Sequence, residues 1–144
     1  MTVGHALTMT LGTEWDEDRP YTDPLNSEIA MDRAADSYRY VLDRPFVADP
    51  GTQWNYNGGT ATLLASMIAR RTATPLAAYA EQKLFDPLGI EDFQWVTGYY
   101  GEPVAASGLR LRPRDLAKIG QLVLASGRWD GAQIVPADWL AASV

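Results

Sequence analysis

Residues 50–59, Pro-Gly-Thr-Gln-Trp-Asn-Tyr-Asn-Gly-Gly, constrain the fold of this chain more than any other stretch. An amphipathic run follows at once and continues through Arg71, which predicts a helix that begins at a glycine-rich turn. Gly58 and Gly59 are expected to adopt backbone angles that other residues resist and to let another molecule come close. The stretch therefore predicts that Tyr56 is held rigidly at the rim of a cleft. A tyrosine that only packs against a helix start would give the same pattern.

The same stretch resembles the second active-site motif of the serine β-lactamase-like family, which includes class C β-lactamases, D-alanyl peptidases, esterases and amide hydrolases. Three further segments, residues 5–12, 84–90 and 105–116, are similar to family segments in the same order and at the same spacing. The resemblance covers nearly the whole chain. It implies a mainly α chain, the helical subdomain of the β-lactamase/transpeptidase-like fold, with the sheet-forming parts of that fold absent.

The resemblance also implies a catalytic role for Tyr56. In the family, this tyrosine takes and returns protons while a serine forms an acyl-enzyme. A free phenol, with a pKa of about 10, is a poor base at neutral pH, so a nearby ammonium group is needed. The usual third residue of the motif is Asn, but Gly58 stands there and Asn57 takes the middle place. This departure favours an esterase or amide hydrolase of small substrates.

Two other motifs of the family are missing. No serine of the chain has Lys three residues later, and there is no Lys-Thr-Gly or His-x-Gly triplet. We therefore expect an internal piece of a longer serine hydrolase, inactive alone, whose uncovered apolar surface promotes self-association. The alternative is a non-catalytic relative that keeps the fold as a binding or interaction module. A Ser-x-x-Lys encoded upstream of Met1 would favour the enzyme.

Composition is that of one compact domain spanning residues 1–144. With 47% hydrophobic and 21% charged residues, the chain has enough apolar material for one core. The net charge of −6, with basic residues scattered among acids, argues against a nucleic-acid partner. No apolar run approaches the roughly 18 residues of a membrane span. No cofactor is expected, the partner is a small ester or amide substrate of the whole enzyme, and localisation stays open.

Apolar residues at spacings of three and four predict helices separated by long loops. The expected helices cover 31–42, the run after Tyr56 to Arg71, 74–86, 113–127, and a short segment from Pro136. Thr74 is expected to cap the third of these helices. The second should bury a stripe formed by Leu63, Leu64, Met67 and Ile68. Strands are expected only near 93–96 and 109–111.

Two loops complete the expected site. The polar loop 12–26 carries four acids around Trp15, namely Glu14, Asp16, Glu17 and Asp18. They lack the ligand spacing of a calcium loop, so a solvated loop is favoured over a metal site. The loop 97–107 carries Tyr99. Because the resemblance implies that both loops border the active site, Trp15 and Tyr99 join Asn57 and Gly58 as candidate substrate-binding residues. His5, the only histidine, is expected to be structural.

Overall fold

The computed structural model describes residues 1–98 and 101–144 and is mainly helical, as predicted. The helices are α1 Val3–Leu7, α2 Ser27–Asp32, α3 Ser37–Leu42, α4 Gly58–Thr72, α5 Leu76–Ala80, α6 Pro113–Leu124 and α7 Ala137–Ser143, with a π-helical turn at Glu81–Phe85. The strands are β1 Phe93–Trp95, β2 Leu109–Leu111, β3 Arg128–Trp129 and β4 Ala132–Gln133. They form two antiparallel hairpins, β1–β2 and β3–β4, and no larger sheet is present among the described residues.

The single helix predicted over residues 31–42 is wrong, because the chain forms α2 and α3 instead. Asp36 has an extended backbone between them, and its side chain accepts a hydrogen bond from the Arg39 amide at 2.8 Å. The Ser37 hydroxyl donates to the Met31 carbonyl at 3.2 Å. A capping aspartate therefore starts a new helix inside a run whose apolar spacing alone looks continuous.

The long helix after the Tyr56 turn is confirmed as α4, and it ends in a left-handed residue, Ala73. Its predicted apolar stripe is only partly buried. Leu63 is buried, whereas Leu64 and Ile68 are half-buried and Met67 is 43% exposed. The prediction is therefore wrong for Met67, because the packed face of the helix is narrower than its apolar face.

Of the other predicted helix starts, the cap at Thr74 is wrong and the two prolines are confirmed. Thr74 does not cap α5, since its hydroxyl donates to the Thr72 carbonyl instead and Pro75 occupies the cap position. Pro113 begins α6 as predicted, and α7 starts directly after Pro136. The helix α6 ends at Leu124, three residues before the predicted stop.

Two apolar clusters form the core. The first joins the loop 12–26 to α2, α3 and α4, and consists of Trp15, Met31, Val41 and Leu63. The second lies around α6 and the β1–β2 hairpin, and consists of Phe85, Leu88, Ile90 and Leu122. Large apolar side chains are also exposed, among them Phe46, Val47, Trp54 and Leu124. Self-association through such surface stays a prediction. No helix in the described part of the chain is long and apolar enough to cross a membrane.

Candidate active site

Tyr56 lies immediately before the N-terminus of α4, on a turn that is fixed by buried hydrogen bonds. Asn57 is the cap residue, and its Oδ1 accepts from the Thr60 amide at 3.2 Å. The Thr60 hydroxyl donates back to the Asn57 carbonyl at 2.7 Å. Both residues are almost fully buried, whereas the Tyr56 side chain is 48% exposed. The turn is thus rigid on its inner side and presents the phenol on its outer side.

Tyr56 lines a polar pocket of about 390 Å³ between the turn and the loop 12–26, which we call the acidic loop. The pocket is lined by Trp15, Asp16, Glu17, Asp18, Arg19, Asn55 and Tyr56. Two larger pockets, of about 490 and 530 Å³, have other linings that do not include Tyr56. The structure therefore brings the predicted residues Trp15 and Tyr56 to one pocket.

Glu17 connects the acidic loop to the start of α4. Its Oε1 accepts a hydrogen bond from Trp15 Nε1 at 2.5 Å and another from the Gly58 amide at 2.6 Å. A carboxylate is favourable at this point because the N-terminal amides of a helix carry partial positive charge. Asn55 adds a further hydrogen bond between the two segments, since its Nδ2 donates to the Trp15 carbonyl at 2.9 Å. Sequence analysis missed Glu17, which stood among four acids of a loop expected to be solvated.

The predicted reason for the two glycines is wrong. Neither Gly58 nor Gly59 has a positive φ angle. A Cβ atom at Gly59 would lie 2.7 Å from both the Trp15 ring and the Val41 Cγ2, and one at Gly58 would lie 2.9 Å from Glu17 Oε1. Gly59 is therefore required because Trp15 and Val41 approach its backbone closely, whereas at Gly58 the close atom is the end of the Glu17 side chain.

The surroundings of the pocket are negatively charged. Arg19, its cationic lining residue, is paired with Asp16 at 2.7 Å and with Asp23 at 3.2 Å. Burial, together with the negative charges of Glu17 and Asp32, raises the pKa of Glu28. The charge of Glu28, burial, and then the charge of Glu17 raise the pKa of the nearby Tyr21 phenol.

The other predicted site residues occupy different environments. Trp15 is only 5% exposed and belongs to the core, although it also lines the pocket. The Asn57 side chain is used as the cap of α4, and the Gly58 amide is bonded to Glu17. Tyr99 lies outside the described residues. Roles for these four residues in substrate binding stay predictions.

Neither a metal site nor a base role for His5 has geometric support. Within residues 1–98 and 101–144, no group of three or more His, Cys, Asp or Glu side chains is arranged to hold a metal ion. The His5 ring packs beneath the turn at Gly51, where its Nε2 would lie 3.2 Å from a Cβ atom. His5 does not line the pocket at Tyr56.

Comparison with known proteins identifies the family and the fold. The sequence matches the β-lactamase family profile over residues 1–142, and the chain belongs to that family. It is 32% identical over 88 residues to lovastatin esterase from Penicillium rubens, an alignment that covers 58% of this chain and 20% of the esterase.

Solved structures show the same fold. One is a Bacillus anthracis protein assigned as a 6-aminohexanoate-dimer hydrolase, with a TM-score of 0.81, 24% identity, and coverage of 96% of this chain and 39% of that chain. Another is simvastatin synthase from Aspergillus terreus, with a TM-score of 0.69, 20% identity, and coverage of 98% and 40%. The chain thus spans about two fifths of the length of these structures. The family prediction and the mainly helical fold prediction are confirmed.

Proposed function

We propose that this chain is the helical part of a longer serine hydrolase that cleaves a small ester or amide through an acyl-enzyme, with Tyr56 as the general base. The observation that carries the proposal is the placement of Tyr56, a half-exposed tyrosine at a polar pocket, directly before the four buried residues 57–60. A tyrosine that served only as packing would be expected to place its ring against the core, as Tyr40 does beside Trp15.

The rigidity of the turn supports this role. A general base must come within hydrogen-bonding distance of the proton that it takes, and small misplacements cost much of the rate. Three independent contacts fix the turn: the Asn57–Thr60 pair, the bridge from Glu17, and the close packing of Gly59 on Trp15. The backbone directly after Tyr56 is therefore held in one position, and the hydrogen bond from Asn55 Nδ2 to the Trp15 carbonyl adds a contact directly before it.

In the proposed reaction, this chain supplies the group that transfers the proton, Tyr56. As a serine oxygen attacks the acyl carbon, its proton passes to the Tyr56 oxygen and then to the leaving group. Water hydrolyses the acyl-enzyme in the second half of the reaction, with the same phenol relaying the proton. Since none of the 144 residues forms a Ser-x-x-Lys, the serine and the activating ammonium must be supplied from elsewhere.

An ester or amide is the substrate class that the chain favours. Gly58 stands where the family motif usually has Asn, whose amide helps to hold β-lactam and peptide substrates, and Asn57 is already used as a helix cap. The name of the similar lovastatin esterase agrees with ester cleavage. These two features support an esterase or amidase over a β-lactamase.

The test is Tyr56→Phe in the complete protein. Acylation should slow by roughly 10² to 10⁴-fold, the usual contribution of general acid–base catalysis. Thermal stability should change little, because a single half-exposed hydroxyl is lost. Tyr79→Phe, at a half-buried position of α5, is the matched control and should leave acylation unchanged. Equal pre-steady-state acylation rates for wild type and Tyr56→Phe would refute the assignment.

A further inference from the structure

A negative charge is fixed in place beside the proposed base. Surface glutamates usually move freely, but the Glu17 carboxylate is held by two donors, Trp15 Nε1 at 2.5 Å and the Gly58 amide at 2.6 Å. Both donors belong to buried residues, one in the core and the other in the first turn of α4. The carboxylate therefore cannot swing into solvent when a substrate arrives.

This charge is not balanced within the pocket. The lining contains three carboxylates, those of Asp16, Glu17 and Asp18, against one guanidinium. That guanidinium, Arg19, is already paired with Asp16 and with Asp23 outside the lining. From the lining residues of this chain, an anionic substrate group would therefore meet a net negative field, and the one guanidinium there is already paired.

We propose that Glu17 determines the charge preference of this site: it disfavours substrates that carry a carboxylate and favours neutral or cationic esters and amides. The inference rests on the proposed function, because it takes the pocket at Tyr56 as the place of reaction. Glu17 is a specificity-determining residue in this view, and the proton transfer itself stays with Tyr56.

The size of the effect follows from the dimensions of the pocket. A sphere of about 390 Å³ is about 9 Å across, so any group inside it lies within roughly that distance of Glu17. Repulsion between two unit charges at about 9 Å lowers binding roughly twofold in a water-like medium and roughly 20-fold near a protein surface. Added salt should weaken the repulsion, which a purely structural role would not predict.

The experiment compares two chromogenic esters of similar size with the complete protein, para-nitrophenyl hexanoate and the para-nitrophenyl monoester of adipic acid. Glu17→Gln keeps an oxygen that can accept both hydrogen bonds but removes the charge. It should raise the adipate-to-hexanoate ratio of kcat/KM by roughly 2- to 20-fold at low salt. Glu91→Gln makes the same change of charge at an exposed position of the loop before β1 and should leave the ratio unchanged.

A second variant separates the effect of the Glu17 charge from the effect of its hydrogen bonds. Glu17→Ala removes the hydrogen-bond acceptor as well as the charge, so kcat should fall for both esters while the ratio still rises. Suppose that Tyr56→Phe impairs the enzyme but both Glu17 variants keep the wild-type ratio of kcat/KM. The inference about Glu17 would then be overturned, while the proposed function would stand. If the complete wild-type protein hydrolyses neither ester, the proposed function fails and this inference fails with it.

Discussion

Adding one methyl group at Gly59 should loosen the turn that holds Tyr56. Gly59 occupies the second position of α4, where its Cα faces the first apolar cluster. A Cβ atom there would lie 2.7 Å from the Trp15 ring and 2.7 Å from Val41 Cγ2, closer than packed carbon atoms come. Trp15 and Val41 are 5% and 1% exposed, so both are held within the packed core.

The expected cost can be worked out from opposing effects. Alanine in place of glycine stabilises a helix interior by about 1 kcal/mol, and by less in the first turn. Overpacking a well-filled core costs about 1–3 kcal/mol. Because two rigid neighbours are contacted at once, the upper part of that range applies, and Gly59→Ala should destabilise the chain by about 1–2 kcal/mol. For a chain of this size, the thermal midpoint should fall by about 3–8 °C.

Gly120→Ala provides the matched control. Gly120 lies on the exposed side of α6, and a Cβ atom there would have nothing within 4 Å. The same substitution should therefore stabilise the chain by about 0.5–1 kcal/mol through helix propensity alone. Urea unfolding followed by circular dichroism measures both variants. The packing argument fails if Gly59→Ala is as stable as wild type while Gly120→Ala shows its expected gain.

Two further predictions concern the chain by itself. Residues 1–144 should not turn over chromogenic esters or β-lactams, since no Ser-x-x-Lys is present; turnover that is lost on Ser107→Ala or Ser126→Ala would mean that the nucleophile has been misidentified. Because burial raises the pKa of Glu28 above 4.5, the folded state binds this proton more tightly than the unfolded state. Stability should therefore fall as pH rises from about 4.5 through that raised pKa, and Glu28→Gln should flatten the decline in urea midpoint; an unchanged slope would contradict this.

Sequence reasoning succeeded where a feature depends on a few neighbouring residues. Pro113 is the first residue of α6 and Pro136 directly precedes α7, because a fixed φ angle and a missing amide suit a helix start. The turn before α4 and the strands β1 and β2 were also predicted correctly, because they too depend on adjacent residues. The mainly helical fold and the position of Tyr56 at a helix start could thus be predicted without tertiary information.

Tertiary structure decided the rest of the site. Glu17 and Gly58 are 41 residues apart, and no local pattern distinguishes Glu17 from the neighbouring acids. The sequence identified Gly59 as unusual but assigned the wrong cause, because the atoms that require a glycine there belong to Trp15 and Val41. Local hydrogen bonds and backbone sterics are determined by adjacent residues. Which distant carboxylate reaches a helix start, and which side chain fills a space, are determined only when loops close and the core packs.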